Sequence, residues 1–171
     1  NSIESYSALA CIAIQANQNE MHGGQSVPHF DYAMAEGVIK TYAKEYRKAF
    51  CACLRIAGGL DAAAAEELAG KLLDAVGVRP SMAGADALGR ALTEAAPEQW
   101  KELAERAHAY AVDEALANTD RRVYQAMEAL IHNLNTMNSR AGAQVPFSSI
   151  NYGTDVSAEG RMVMKNLLLA T

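Results

Sequence analysis

One short stretch limits how this otherwise helical chain can fold. Residues 145–150, VPFSSI, are rich in β-branched and aromatic side chains that alternate in part with polar ones, which predicts a strand. Pro146 has no backbone N–H, so the strand should lie at an edge or a bulge of a sheet. A long helical pattern precedes it and Ser157 is placed to begin another helix, so the strand should join two helices.

The rest of the chain has the apolar spacing of amphipathic helices. Predicted N-caps are Ser2, Asp31, Asp61 and either Thr119 or Asp120. The fold class expected is therefore mainly α with one or two short strands. The predicted helices cover residues 3–18, 32–56, 62–75, 85–92, 97–116 and 121–139, with a last helix from Ser157.

The charge balance argues against a general nucleic-acid binder. The chain has 15 Lys and Arg against 20 Asp and Glu, a formal net charge of -5, whereas such binders depend on cations that meet phosphates. No stretch is long and apolar enough for a bilayer, and the start lacks a signal-peptide pattern. We expect a cytoplasmic protein with no membrane partner and no direct nucleic-acid binding.

The three cysteines do not have the spacing of a disulfide framework, which favours a reducing compartment. Cys51 and Cys53 are two residues apart on a predicted helix, so they point roughly 200° apart and cannot easily share a metal. Cys11 lies within an apolar helical pattern and is expected in the core. None of the three is predicted to be a ligand.

A loop with two glycines follows the first helix. His22 and His29 flank it without a carboxylate or cysteine at metal-ligand spacing, so ordinary loop roles are favoured and no metal site is predicted. Gly23 and Gly24 could shape a turn that cradles phosphate, but the lysine of a P-loop is missing. A plain turn between two helices is an equally good interpretation.

Ser148, Ser149 and Asn151 are the candidate ligand-binding residues. They follow the predicted strand and precede a helix start, and ligands tend to bind where strands end and helices begin. Their hydroxyl and amide groups can hydrogen-bond a sugar or a phosphate. A hydrogen-bonded turn is the alternative interpretation.

Two long runs resemble the anaerobic, class III ribonucleoside-triphosphate reductases. They read YQAMEALIHNLNTMNSRAGAQVPFSSINYGTD, followed by EGRMVMKNLLLAT, and SALACIAIQANQNEMHGGQSVPHFDYAMAEGV. We interpret residues 1–57 as a dimer and effector region and residues 119–171 as helix, strand and helix of the catalytic barrel. Residues 58–118 match no motif, and we expect an Ala-rich helical insert that is exposed.

The resemblance implies an oxygen-sensitive glycyl-radical enzyme. Such enzymes reduce ribonucleoside triphosphates to 2′-deoxyribonucleoside triphosphates, often with formate as reductant, in a ten-stranded α/β barrel that carries a radical cysteine. The resemblance also implies a structural zinc site and a radical S-adenosylmethionine activase with an iron–sulfur cluster. It further implies a homodimer, with ATP and dNTP effectors bound at its helices.

The chain is expected to be a piece of that catalytic subunit. It starts without Met, ends in the apolar run VMKNLLLAT, and has no segment like the glycyl-radical, zinc or ATP-cone motifs. The radical cysteine is expected beyond Thr171, so no catalytic residue is assigned here. Asn138 stands where the family is expected to have His, and Asn cannot carry a proton.

The same resemblance would place Ser148, Ser149 and Asn151 at the nucleotide end of a barrel strand. Small residues on the first helix suit close packing against a second subunit; they are Ser7, Ala8, Ala10 and Ala13. The alternative to an enzyme piece is a helical module that dimerises and binds nucleotides without catalysis.

Overall fold

The computed structural model describes residues 2–21, 23–136, 145 and 147–171. Helices hold 78% of these residues and the two strands are short, so the mainly α class is confirmed. The parallel pairing of the strands is consistent with a piece of an α/β barrel. In chain order the elements are α1 Ile3–Glu20, β1 Gln25–Val27, α2 Phe30–Gly58, α3 Ala62–Val76, α4 Ala85–Ala95, a 3₁₀ turn Glu98–Trp100, α5 Lys101–Thr136, β2 Ser148–Ile150 and α6 Ala158–Ala170.

The two strands form a parallel pair. Gln25 lies opposite Ser148, Ser26 opposite Ser149 and Val27 opposite Ile150. The prediction of a strand is confirmed for residues 148–150, while Pro146 lies outside the described residues. Sequence reasoning missed β1, because a three-residue strand beside two glycines has too few residues to show a period of two.

Helix α5 is one continuous helix where two were predicted. Either Thr119 or Asp120 was expected to cap the second of them, but both lie inside α5. The Asp120 carboxylate accepts hydrogen bonds of 2.8 Å from Lys165 Nζ and Asn166 Nδ2 on α6. Aspartate favours a cap when it bonds the local backbone, and here its partners are side chains of another helix instead.

The chain divides into two compact units, and the boundaries fall within α2 and α5. Unit 1 contains Asn1–Thr41 and Asp120–Thr171, and unit 2 contains Tyr42–Thr119. No helix within the described ranges combines the length and apolar character needed to cross a bilayer.

In unit 1, helix α1 approaches α2 at Gly37. A Cβ added there would lie 3.0 Å from Tyr6 Cγ and 3.3 Å from Ile3 Cα. The Ile3 N–H donates to Thr41 Oγ1 at 2.9 Å, and the Ser7 hydroxyl donates to the Ala126 carbonyl at 2.9 Å. Ser7 is therefore buried within the unit, although it was expected to pack against a second subunit.

Unit 2 has its own core, built around alanine. Tyr42, Tyr46 and Phe50 of α2 are buried in it, and the rings of Tyr46 and Phe50 are stacked. The expectation that this Ala-rich stretch would be exposed is wrong. Alanines spaced three or four apart form buried stripes, and their small size lets helices pack closely; they are Ala65, Ala69, Ala104, Ala107, Ala111 and Ala115.

Candidate functional site

The carboxyl ends of β1 and β2 meet at the same edge of the strand pair. Strand β1 leads into α2 and strand β2 leads towards α6. Asn151 N–H donates to the Val27 carbonyl at 3.0 Å, and Phe30 N–H donates to the Asn151 carbonyl at 2.9 Å. We call residues 26–31 and 149–155 the carboxyl edge. Parallel strands in α/β proteins commonly bind ligands at such an edge.

A row of three exposed polar side chains lies on this edge. Asn151 Nδ2 donates to Ser26 Oγ at 3.3 Å, and the Ser149 hydroxyl donates to Asn151 Oδ1 at 3.4 Å. Both bonds are longer than ordinary protein hydrogen bonds and are correspondingly weak. A ligand hydroxyl can therefore replace either bond at little cost.

Ser148 does not join this row. Successive side chains of a strand point to opposite faces, and Ser148 lines a cavity of about 270 Å³ between β2, α5 and α6, together with Asn135, Tyr152 and Thr171. The structure thus brings Ser149 and Asn151 together and places Ser148 on the other face. Ser26 joins the row through the pairing of the strands, which no local sequence signal shows.

Asp31 ties the two halves of the edge together. Its buried carboxylate accepts hydrogen bonds from the backbone N–H groups of Gly153, Thr154 and Asp155 at 2.8 to 2.9 Å and from the Thr154 hydroxyl at 3.2 Å. The prediction that Asp31 caps α2 is wrong. Helix α2 begins at Phe30, so Asp31 lies in its first turn and binds the loop after β2.

The charge of Asp31 is held by these donors. Burial raises the pKa of this carboxyl, but the N–H groups of Asp155, Gly153 and Tyr32 and the Thr154 hydroxyl outweigh it, so the pKa lies below its usual value. Three consecutive N–H groups form the kind of concavity that binds anions. Because Asp31 fills it, the edge offers a ligand its hydroxyl and amide side chains rather than a free phosphate cradle.

Comparison with protein families decides what kind of protein carries this edge. The family described as anaerobic ribonucleoside-triphosphate reductase matches residues 1–171, the whole chain. The chain belongs to this family. Its members carry out anaerobic ribonucleotide reduction, which is oxidoreductase chemistry. A comparison with curated proteins finds no match.

The double-glycine loop of the reductase segment has a packing role. A Cβ on Gly24 would lie 3.1 Å from the Phe147 ring and 3.4 Å from its carbonyl oxygen. Gln25 N–H donates to that carbonyl at 2.8 Å, so glycine lets the start of β1 approach the residue before β2. The interpretation as a plain turn is therefore the better supported one. His22 lies outside the described residues.

His29 adopts a backbone conformation that is unusual for a residue other than glycine. Its φ is 51°, and its Nδ1 lies 3.2 Å from Thr154 Oγ1. Sequence reasoning treated His29 as an ordinary loop residue and did not single out Thr154. The two residues belong to different matched runs, so their contact depends on a long-range pairing that spacing does not reveal.

The three cysteines of this reductase segment are free thiols, and Cys11 is buried, as predicted. Burial and a hydrogen bond to Glu66 raise the pKa of Cys51 to about 11, so its thiol stays protonated near neutral pH. In the part of the chain that the structure describes, no group of three His, Cys, Asp or Glu residues could hold a metal.

Proposed function

We propose that the carboxyl edge contacts the ribonucleoside triphosphate that the parent reductase converts to its 2′-deoxy form. The observation that carries the proposal is the meeting of two strand ends, joined by the Asp31 carboxylate, in a chain that matches this family throughout. Ser149 and Asn151 are the proposed substrate-binding residues on the edge. Ser148, on the opposite face, would contact the substrate only from the cavity side.

The proposed role is binding and orientation rather than chemistry. Serine and asparagine do not change charge near neutral pH, so they can hold ribose or base groups but cannot shuttle protons. The redox step belongs to groups that the family implies: the glycyl radical made by the activase, and formate as reductant. The described residues do not fit the family's zinc site. We further propose that the segment is inactive alone and that it is cytoplasmic.

Calorimetric titration of the chain with a ribonucleoside triphosphate tests this proposal. Ser149→Ala and Asn151→Ala should each raise the dissociation constant about two- to tenfold, because each removes one hydrogen bond to the ligand. Ser5→Ala, on the exposed side of α1, is the matched control and should leave the constant unchanged. An unchanged constant in both edge variants would remove them from the site, and a rise in Ser148→Ala alone would move the contact to the cavity.

A second candidate function is dimerisation, with nucleotide binding but without catalysis. Helix α1 exposes Leu9 and Ile12, which are 64% and 59% accessible, and Ala8 and Ala13 lie beside them. The spacing of three and four residues makes one apolar stripe. A second copy of α1 is the proposed occupant, with ATP and dNTP effectors bound near it, as the family implies.

Light scattering, which measures the mass in solution, tests whether this apolar stripe holds two copies together. Replacing Leu9 and Ile12 together by Ser should convert a dimer to a monomer. Ile56→Ser, which changes an exposed isoleucine in unit 2, should leave the mass unchanged. A strict monomer at high concentration, with and without dNTPs, would exclude this function for the segment.

A further inference from the structure

We propose that His29 is a ligand-contacting hydrogen-bond acceptor of the carboxyl edge, fixed in one tautomer by a relay through Thr154 to Asp31. The inference rests on the proposed function for the identity of its ligand, a nucleotide hydroxyl. The relay itself depends only on the positions of the three side chains. It makes His29 a specificity-determining residue, because it adds an acceptor beside the hydroxyl and amide groups of the edge.

The relay follows from counting protons. The Asp31 carboxylate is buried among N–H donors, so it can only accept. The Thr154 hydroxyl lies 3.2 Å from Asp31 Oδ1 and has a single proton, which it donates there. Thr154 Oγ1 then has only lone pairs for His29 Nδ1, also 3.2 Å away. His29 Nδ1 must therefore carry the proton of the neutral ring.

The backbone holds the imidazole on the edge. Among the described residues, His29 is the one non-glycine residue with a positive φ, and such conformations persist when their surroundings fix them. The next residue, Phe30, donates its N–H to the Asn151 carbonyl at 2.9 Å. The ring is thus tethered through its side chain to Thr154 and through the main chain to Asn151, and it remains exposed.

The chemical consequence lies at the other ring nitrogen. When Nδ1 carries the proton, Nε2 has a lone pair and accepts a hydrogen bond from a donor on the ligand. Serine and asparagine can donate or accept, so they discriminate weakly between hydroxyl-bearing ligands and their deoxy analogues. An acceptor that cannot donate gains a hydrogen bond from a ligand hydroxyl and gains none from the analogue that lacks it, so it favours the hydroxyl form by about one hydrogen bond. His29 should favour nucleotides with intact ribose hydroxyls.

The tautomer is tested without a nucleotide, by ¹⁵N NMR of the labelled chain at a pH where the ring is neutral. His29, assigned by its loss in His29→Asn, should show the proton on Nδ1. Thr154→Val should shift the proton to Nε2, and Thr154→Ser, which keeps the hydroxyl, should not. Circular dichroism checks that each variant folds. A wild-type ring protonated at Nε2, or a folded Thr154→Val chain with an unchanged tautomer, would overturn the relay.

The ligand role is tested by titrating a ribonucleoside triphosphate and its 2′- and 3′-deoxy forms. The wild type should bind the ribonucleotide about tenfold more tightly than at least one deoxy form, which corresponds to one hydrogen bond. His29→Gly should lose this preference without becoming less stable, since glycine adopts a positive φ freely. A preference retained by His29→Gly would overturn the role. If no nucleotide binds the wild type, the proposed function and the ligand role of His29 both fail. The relay is then supported or overturned by the NMR result alone.

Discussion

The Asp31 carboxylate lies 2.8 Å from the backbone nitrogen of Asp155, which is 124 positions further along the chain. Asp31 sits in the first turn of the helix after β1, and Asp155 lies in the loop after β2. One buried side chain therefore joins the exits of both strands, and the polar row on the carboxyl edge depends on that joint for its position.

Replacing Asp31 by Asn should destabilise the chain by about 3 kcal/mol. The substitution keeps the shape but removes the charge that three N–H groups share, and hydrogen bonds to a charged group contribute about 1.5–3 kcal/mol. Urea unfolding at neutral pH measures the loss. Asp113→Asn, at an exposed position on α5, is the control and should have no effect.

The cost of losing Asp31 should also depend on pH. Its folded pKa is depressed, so its stabilisation is complete above the ordinary aspartate pKa of about 3.9 and disappears as the pH falls through the folded value. The difference in unfolding free energy between wild type and Asp31→Asn should shrink as the pH falls from about 5 through that folded value. A constant difference over that range would show that the charge is not what stabilises the edge.

Two glycine-to-alanine substitutions should have opposite effects. Alanine favours helix over glycine by about 1 kcal/mol, but a Cβ at Gly37 would press on Tyr6 and on the α1 backbone, so Gly37→Ala should destabilise by about 1–2 kcal/mol. Gly70, on α3, has only a flexible Arg47 nitrogen at 3.8 Å, so Gly70→Ala should stabilise. Chemical denaturation midpoints, compared at equal denaturant dependence of the unfolding free energy, would show whether each variant is more or less stable than wild type. A stabilising Gly37→Ala would refute the close approach of α1 to α2.

Removing the Tyr46 hydroxyl should cost about 1 kcal/mol near pH 7, because the hydroxyl forms a hydrogen bond of 2.7 Å with His108 Nδ1. His108 is half-buried, and burial lowers its pKa despite the opposing effects of Asp86 and of a bond to the Ala85 backbone. The neutral ring is thus the favoured form in the folded state.

Acid should destabilise wild type and Tyr46→Phe alike, because burial, and not the Tyr46 hydroxyl, lowers the pKa of His108. Stability that depends on neutral His108 is complete above its unfolded pKa of about 6.5 and is lost as the pH falls through the folded value. The Tyr46 hydroxyl can accept from a protonated Nδ1, so the gap in thermal stability between the two chains should persist as the pH falls. Tyr110→Phe, which alters a half-exposed tyrosine on α5, provides the comparison, and a gap that closes in acid would contradict the assignment.

Two buried threonines should respond differently to replacement by valine. Thr119 Oγ1 has no hydrogen-bond partner among the described residues, so Thr119→Val should stabilise the chain by about 1 kcal/mol. Thr41 Oγ1 accepts from Ile3 N–H, so Thr41→Val leaves that donor unpaired and should cost about 1–3 kcal/mol. Chemical denaturation of the two variants gives the comparison, and a destabilised Thr119→Val would reveal a bond at that hydroxyl.

The fold was predictable where local signals act alone. Asp61 accepts from Ala64 N–H at 2.8 Å and Ser157 accepts from Gly160 N–H at 3.0 Å, so both predicted helix starts are confirmed at their caps. Asp31 and Asp120 have the same chemistry but bond residues more than 40 positions away. A sequence pattern does not show whether such a carboxylate will bond its local backbone or a distant residue. The caps predicted at Asp31 and Asp120 are therefore wrong.

Less of the candidate site could be predicted. Ser149 and Asn151 stand out because they end a recognisable strand. Ser26, His29 and Thr154 enter the site only through the parallel pairing of β1 with β2, which has no local signature. The substrate contacts of Ser148, Ser149 and Asn151 stay a prediction, and Asn138 lies outside the described residues.

The pairing of β1 with β2 also sets the order in which the chain can fold. Unit 2 is continuous in sequence, so its helices can find one another through short loops. The strands cannot pair until Gln25 meets Ser148, and contacts between distant residues form slowly. We expect refolding to build unit 2 early and the carboxyl edge last, so the proposed nucleotide site would form only after most of the helices.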